Sequence, residues 1–244
     1  MRFESIDVLR GLAVVWMTIY HFCFDLNHFG YIDQRFLIDP FWTLQRTAIV
    51  SLFLFTAGIG QAIAAEQGQG WPRFWRRWAQ VAGCALLVSA GSWWMYPKSY
   101  IYFGVLHGMA VMLVVARFTA GWGRWLWPLG LLAVAMPSIA NWGQLTLDKV
   151  NFYDFFDGKA LNWLGLVSRK PLTEDFVPIF PWLGVLWWGL AAGQALVRRR
   201  RDVLAAIVPA SVQPLIWLGR WSLAWYMLHQ PVMIGVLVLI AALK

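Results

Sequence analysis

Five ionisable side chains share one narrow face of the first predicted helix, which reads DVLRGLAVVWMTIYHFCFDLNH over residues 7–28. With successive residues placed about 100° apart, as in an α-helix, they fall within an arc of roughly 60°. They are Asp7, Arg10, His21, Asp25 and His28, and we call this set the polar stripe. The residues between Arg10 and His21 are almost wholly apolar, so we expect the helix to lie in lipid. Ionisable groups there must face a protein interior or a water cavity, which makes the stripe a candidate functional site.

Two members of the polar stripe have spacing suited to proton transfer. His21 and Asp25 are one helical turn apart, so the carboxylate can accept from one ring nitrogen and leave the other as a base or nucleophile. A polar pair that ties two helices together is the structural alternative. Arg10 precedes His21 by roughly 16 Å along the helix. Its guanidinium could hold a phosphate or could extend to lipid headgroups.

Two further histidines occupy other apolar segments. His107 is close to the start of the fourth predicted span, and His229 lies within the seventh, two residues before Pro231. Proline cannot complete the helical ladder, so it frees a backbone carbonyl near His229. Either histidine alone would more often be a hydrogen-bonded core residue, but together with His21 they favour convergence on one site. No close histidine and carboxylate spacing predicts a metal site, and we expect no metal.

An arginine cluster follows the glycine-rich turn at residues 68–72 and comprises Arg73, Arg76 and Arg77. A basic cluster at the start of a helix can bind the phosphates of a nucleotide-like cofactor. It can also act as a topology signal that contacts anionic lipid, and physical reasoning alone favours this second interpretation. The arginine run at residues 198–201 is interpreted as a topology signal.

The composition indicates what must position these residues. Of 244 residues, 60% are hydrophobic and 13% are charged, and the mean hydropathy is +0.57, which is typical of a polytopic membrane protein. The net charge of +8 is concentrated in short clusters between apolar runs, as the positive-inside rule expects, so we do not expect nucleic-acid binding. The length predicts one integral-membrane domain covering residues 1–244.

We predict an all-α transmembrane helix bundle of about seven spans, within a range of six to eight. Each predicted span approaches bilayer length: 8–28, 42–64, 79–96, 101–117, 125–140, 177–197 and 217–243. The distribution of Lys and Arg favours a cytoplasmic N-terminus.

Gly189 and Gly193 predict a close helix contact. The long connection 141–176 carries the aromatic and acidic run NFYDFFD at 151–157, which suits either a sugar-binding loop or an interfacial hairpin.

The order of motifs resembles a known family. The spacing of Arg10 and His21, which have ten residues between them, resembles the Arg-X10-His signature of acyltransferase-3 type membrane proteins, which acylate sugars. The run SIDVLRGLA at 5–13, followed by His21, is closer still to bacterial proteins similar to the catalytic domain of heparan-α-glucosaminide N-acetyltransferase. Further matches follow in chain order: FLFTAG at 53–58, RFWRR at 73–77, FGVLH at 103–107, DFVPIFPWLG at 175–184, LGRWSL at 218–223 and HQP at 229–231.

The resemblance implies a membrane enzyme that moves an acetyl group from cytoplasmic acetyl-CoA to an amino or hydroxyl group of an extracytoplasmic saccharide. Arg10 and the arginine cluster would help to hold the coenzyme A phosphates. His21 would be the general base or a transient acyl carrier, with Asp25 as its orienting partner. His28, His107 and His229 are the other candidates for catalysis. Asp7, Asp175 and Trp182 are expected to contact substrate.

Other functional classes use the same features. A transporter or proton-coupled channel could use the polar stripe as its pathway, because intramembrane Asp and His also form proton relays. A non-catalytic membrane scaffold is a third hypothesis. Only the enzyme needs a coenzyme A site at the arginines. We expect a protein of the bacterial inner membrane whose partners are acetyl-CoA, a saccharide and membrane lipid, with a homo-oligomer left open.

Overall fold

A computed structural model describes residues 2–146 and 155–243, and these residues are largely helical, with no β-strand among them. Only an isolated bridge joins Phe103 to Phe176 within these ranges. The side chains of residues 144–146 are not described. The helices, in chain order, are α1 Glu4–His28, α2 Pro40–Glu66, α3 Trp71–Met95, α4 Val105–Thr119, α5 Leu126–Thr146, α6 Trp182–Arg199, α7 Gln213–Arg220 and α8 Ser222–Ala242.

The predicted all-α membrane architecture is confirmed. Each of the seven predicted spans overlaps a helix. Within the described residues, four helical segments are long and apolar enough to cross a bilayer by themselves. They are Glu4–His28, Pro40–Glu66, Val105–Gly143 and Ser222–Ala242, the third of which includes both α4 and α5. The cytoplasmic position of the N-terminus stays a prediction.

The boundaries of the last predicted spans differ from the helices observed. The fifth span was predicted to end at residue 140, but α5 continues through Pro137 to Thr146. The seventh is divided, because α7 ends at Arg220, Trp221 has non-helical backbone angles (φ −102°, ψ 17°) and α8 begins at Ser222.

The chain divides into two compact units. The first comprises Met1–Thr56 with Arg200–Lys244, and the second comprises Ala57–Arg199. In the first unit, α1 packs against α7 so closely that glycines are required. A Cβ atom on Gly11 would overlap the backbone of Leu215, and one on Gly219 would overlap the carbonyl of Asp7. The prediction of a single domain remains a prediction.

A hydrophobic cluster supports the later part of α1 in the first unit. Met17 and Tyr20 are buried together with Phe36 and Ile49. Phe36 also stacks on Trp42, with ring centroids 4.0 Å apart. The burial of these apolar side chains is the main force that holds the end of α1 against the start of α2.

In the second unit, α6 packs closely on the part of α2 that belongs to this unit. A Cβ atom on Gly193 would lie 2.6 Å from the Cβ of Ala62, and one on Gly58 would lie 2.9 Å from the carbonyl carbon of Gly189. The close contact predicted from Gly189 and Gly193 is therefore confirmed, since small residues let two helix backbones approach.

Candidate active site

An ion cluster surrounds Asp7 near the start of α1. The carboxylate is 1% exposed, and Arg2 binds it through two hydrogen bonds of 2.6 and 2.9 Å. Arg10 lies 3.4 Å from one carboxylate oxygen, and Arg220 lies 3.8 Å from the other. Arg220 also pairs with Glu4 at 2.9 Å. A single buried carboxylate thus holds three arginines whose own side chains are partly exposed.

The ion cluster gives Asp7 a defined role. Its hydrogen bonds are made with arginines, whereas the sequence predicted that Asp7 contacts substrate; that contact remains a prediction. The hydrogen bond from Arg2 to Asp7 is also the main reason that the pKa of the Arg2 guanidinium is raised above its ordinary value. Glu4 and Asp7 lie in the first turn of α1, where negative charge is favoured by the helix dipole.

Two histidines meet further along the same helix. The rings of His21 in α1 and His229 in α8 are 5.2 Å apart, centroid to centroid, at an interplanar angle of 56°. Nδ1 of His229 lies 2.8 Å from the carbonyl oxygen of Tyr226 and 3.1 Å from that of Trp225. Because carbonyl oxygens only accept, Nδ1 carries the proton, and Nε2 of neutral His229 has a free lone pair.

A second pair links the same helices one turn later. Gln230 donates from Nε2 to Oδ1 of Asp25 at 2.9 Å. The sequence predicted that Asp25 orients His21, but within the described residues no hydrogen bond joins these two side chains. His21 instead contacts the neighbouring rings of His229 and Tyr20. Asp25 is therefore oriented by Gln230 of α8. The His229 ring, which lies beside His21, is likewise oriented by backbone carbonyls of α8.

Three buried acceptor atoms in these pairs lack a hydrogen-bond partner among the described residues. They are Oδ2 of Asp25, Nε2 of His229 and Oε1 of Gln230. A buried polar group without a partner costs about 1–3 kcal/mol, so native proteins seldom leave such groups in one place without a reason. All three atoms accept hydrogen bonds, so a molecule that satisfies them must donate.

His28 has different surroundings from His21, although both belong to the polar stripe. It is exposed in the last turn of α1, and its ring contacts that of Phe29 at 5.6 Å. His28 thus stands outside the pair formed by His21 and His229. These surroundings favour His21 over His28 as the histidine that acts in chemistry.

His107 lies in the second unit and has partners for both ring nitrogens. Nδ1 accepts from the backbone N–H of Gly104 at 3.3 Å, so Nε2 carries the proton and donates to Ser89 Oγ at 3.0 Å. Ser89 in turn donates to the carbonyl of Ile101 at 2.6 Å. Of the three histidines predicted to converge, two therefore meet within the first unit, and the third closes a local network at the start of α4.

Asp175 and Trp182, which the sequence predicted as substrate contacts, also belong to the second unit. Oδ2 of Asp175 accepts from the backbone N–H of Val105 at 2.7 Å and so caps α4. Trp182 is the first residue of α6 and is partly buried. Residues 151–154 of the aromatic and acidic run lie outside the described residues, while Asp157 accepts two hydrogen bonds from Ser168.

The arginine cluster occupies the first turns of α3. Arg73, Arg76 and Arg77 are all exposed, and Gly70 at the N-cap supplies no side-chain hydrogen bond. Positive charge near a helix N-terminus is disfavoured by the helix dipole. An anion bound there would offset the charge and accept from the free backbone N–H groups. These residues are able to hold phosphate.

Arg117 fixes the turn before this cluster. Its guanidinium donates to the carbonyl of Gln69 and lies 5.0 Å from the ring centre of Trp71 and 5.8 Å from that of Phe74. Arg117, Gln230 and Arg220 were not predicted as functional residues from the sequence. Arg117 stood out only as one more basic residue at a helix end, and Gln230 only as the neighbour of a histidine.

A family model described as "Heparan-alpha-glucosaminide N-acetyltransferase, catalytic" matches residues 2–231, which include the ion cluster, both histidines of the pair and the arginine cluster. No curated protein matches the chain, and neither does any solved structure. The match confirms the resemblance found in the sequence motifs.

Proposed function

Because the chain belongs to the catalytic-domain family of heparan-alpha-glucosaminide N-acetyltransferase, we propose that this integral membrane protein transfers an acetyl group from cytoplasmic acetyl-CoA to an amino or hydroxyl group of an extracytoplasmic saccharide. The observation that carries the proposal beyond the family is the pair of neighbouring imidazoles, His21 and His229. Their ring centroids are 5.2 Å apart. One of them has its tautomer fixed by backbone carbonyls.

The pair suits acyl transfer because a neutral imidazole can remove a proton. The acceptor N–H or O–H gives its proton to the base as the nitrogen or oxygen attacks the thioester carbonyl carbon. The new C–N or C–O bond forms, the C–S bond breaks, and the coenzyme A thiolate leaves. If His21 first carries the acetyl group, its ring nitrogen makes the attack on the thioester and the acceptor attacks the acetyl-imidazole. Either route is served by a second neutral imidazole beside His21.

The donor would be held through its phosphates. In the proposal, the arginine cluster of α3 binds phosphate in the second unit, and Arg10 does so at the start of α1 in the first. Both groups would face the cytoplasm if the N-terminus lies there, which matches a cytoplasmic source of acetyl-CoA. The acetyl group would then travel roughly 16 Å along α1 from Arg10 to His21. Placement in the bacterial inner membrane is a further part of the proposal.

The proposal is tested by measuring acetyl transfer with protein purified in detergent and reconstituted into nanodiscs. Acetyl-CoA labelled in the acetyl group is supplied with glucosamine, and acetylated sugar is separated and counted. The native protein should form labelled product, and His21→Ala should abolish transfer. His28→Ala is the matched control, since it removes an exposed histidine from the same helix, and it should keep turnover.

Three results would count against the proposal. A native protein that binds no acetyl-CoA and acetylates no sugar would remove the enzyme function. Full turnover by His21→Ala, with loss in His28→Ala, would instead move the chemistry to the last turn of α1. A proton flux through liposomes that requires His21 but not acetyl-CoA would favour the transporter hypothesis.

A further inference from the structure

We propose that Asp25 and Gln230 form a subsite that holds the acceptor molecule through its hydrogen-bond donors, with Gln230 as a residue that determines specificity. The proposal rests on the acetyltransferase function proposed above. It gives Asp25 a different role from the one expected from sequence, in which it orients His21. It also assigns a role to Gln230, which entered the sequence analysis only as part of the HQP match at 229–231.

A single hydrogen bond holds the side chains of Asp25 and Gln230 together. Gln230 uses its amide N–H to hold Oδ1 of Asp25 at 2.9 Å. Oδ2 of Asp25 and Oε1 of Gln230, the other oxygens of this bonded pair, are both buried, and neither has a partner among the described residues. Asp25 itself is 3% exposed. The single hydrogen bond therefore fixes two further acceptor atoms instead of satisfying the pair.

The two unpartnered atoms, Oδ2 of Asp25 and Oε1 of Gln230, are both hydrogen-bond acceptors. An ionised carboxylate oxygen and an amide oxygen accept hydrogen bonds and cannot donate them. A phosphate or a carboxylate of a ligand would be repelled, whereas hydroxyl and amino groups would be bound. The subsite thus fits the acceptor, which is rich in O–H and N–H groups, and does not fit the phosphates of the donor.

The pair of Asp25 and Gln230 lies next to the pair of histidines along the same two helices. Asp25 is one turn beyond His21, about 6 Å along α1, and Gln230 follows His229 directly in α8. The two pairs join the same helices at neighbouring levels. A molecule that donates to Asp25 and Gln230 is therefore held beside the two imidazoles, which is what the acceptor of an acetyl group requires.

The test compares Gln230→Met and Asp25→Asn with the native protein in the nanodisc assay. Gln230→Met removes both polar atoms at similar length, and Asp25→Asn preserves size while introducing a donor. Each should raise KM for glucosamine roughly tenfold or more, with KM for acetyl-CoA unchanged. Thr18→Val is the matched control, because it removes another hydrogen bond between α1 and α8, from Trp225 Nε1 at 2.8 Å. It should leave both KM values unchanged.

Deoxy analogues of the sugar distinguish substrate binding from a structural role. An analogue that lacks the recognised hydroxyl should have a raised KM with the native protein and no further increase with Gln230→Met, since side chain and hydroxyl act as one pair. Variants that unfold at lower temperature, yet show unchanged acceptor KM and unchanged sensitivity to every deoxy analogue, would overturn the subsite while leaving the acetyltransferase intact. A native protein that acetylates no sugar would overturn the function, and the subsite with it.

Discussion

The ring of His229 lies 5.2 Å from the ring of His21, although the two residues come from helices near opposite ends of the chain. The carbonyls of Trp225 and Tyr226 accept from Nδ1 of His229, so its Nε2 is the basic atom. The contact thus places a second imidazole beside His21 within the apolar helices. The tautomer of this second ring, His229, is defined by its backbone partners.

His229→Asn should lower kcat about 100- to 10,000-fold, the range typical of a lost general base. The asparagine amide can still donate to the backbone carbonyls, but it has no atom equivalent to Nε2. The measurement is the rate of labelled acetyl transfer at saturating substrate. Acetyl-CoA affinity should not change, and His28→Asn should keep the native rate. A native kcat in His229→Asn would exclude Nε2 as the base.

Replacement of Arg73, Arg76 and Arg77 by Gln should weaken acetyl-CoA binding, because three exposed cations near the start of α3 would no longer face the phosphates. Isothermal titration calorimetry measures the affinity. The control variant replaces Arg199, Arg200 and Arg201 by Gln, so it removes the same charge from the other arginine run. If both variants bind equally well, the cluster at α3 serves topology only.

Asp7→Asn should destabilise the protein by about 1.5–3 kcal/mol, the range for hydrogen bonds to charged groups, since Arg2, Arg10 and Arg220 all lose their shared anion. Chemical unfolding in detergent measures the change. Asp202→Asn is the control, because Asp202 pairs with Arg200 on the exposed surface, and its unfolding curve should match that of the native protein. Equal stability of all three proteins would show that the ion cluster contributes nothing to the fold.

His107→Leu should destabilise the protein by about 1–3 kcal/mol, because Ser89 and the backbone N–H of Gly104 both lose a partner. The kcat of the folded fraction should stay within about twofold of the native value. Unfolding curves and acetyl transfer are measured on the same preparation. A large loss of kcat at native stability would instead place His107 in the chemistry.

The helices and the polar stripe were predictable because both follow from local rules. Apolar runs of bilayer length mark the spans, and the helical repeat alone places His21 and Asp25 on the same face as Asp7. The break at Trp221 could not be predicted from local sequence. It contains neither glycine nor proline, and α7 ends there with the backbone N–H of Trp221 bonded to the carbonyl of Trp217.

The partners of the stripe residues were the part that sequence reasoning could not supply. Spacing showed that His21 and Asp25 could meet each other, since they are four residues apart. Their actual partners, His229 and Gln230, are more than 200 residues away in the chain and become visible only when α1 packs on α8. A spacing rule describes one helix, while each of these contacts depends on two.

The glycines between α1 and α7 set the alignment of everything that α1 carries. Gly11 and Gly219 bring backbone directly against backbone. A shift of one helix along the other would place a residue with a side chain at these contacts, where its Cβ atom would overlap the facing backbone. A shift of α1 by a single residue would turn all of its side chains by about 100°. Asp7 would then leave Arg220 of α7 at one end in the same movement that took His21 away from His229 at the other. The arginine end and the imidazole end of α1 are thereby held in one register by two residues that have no side chain.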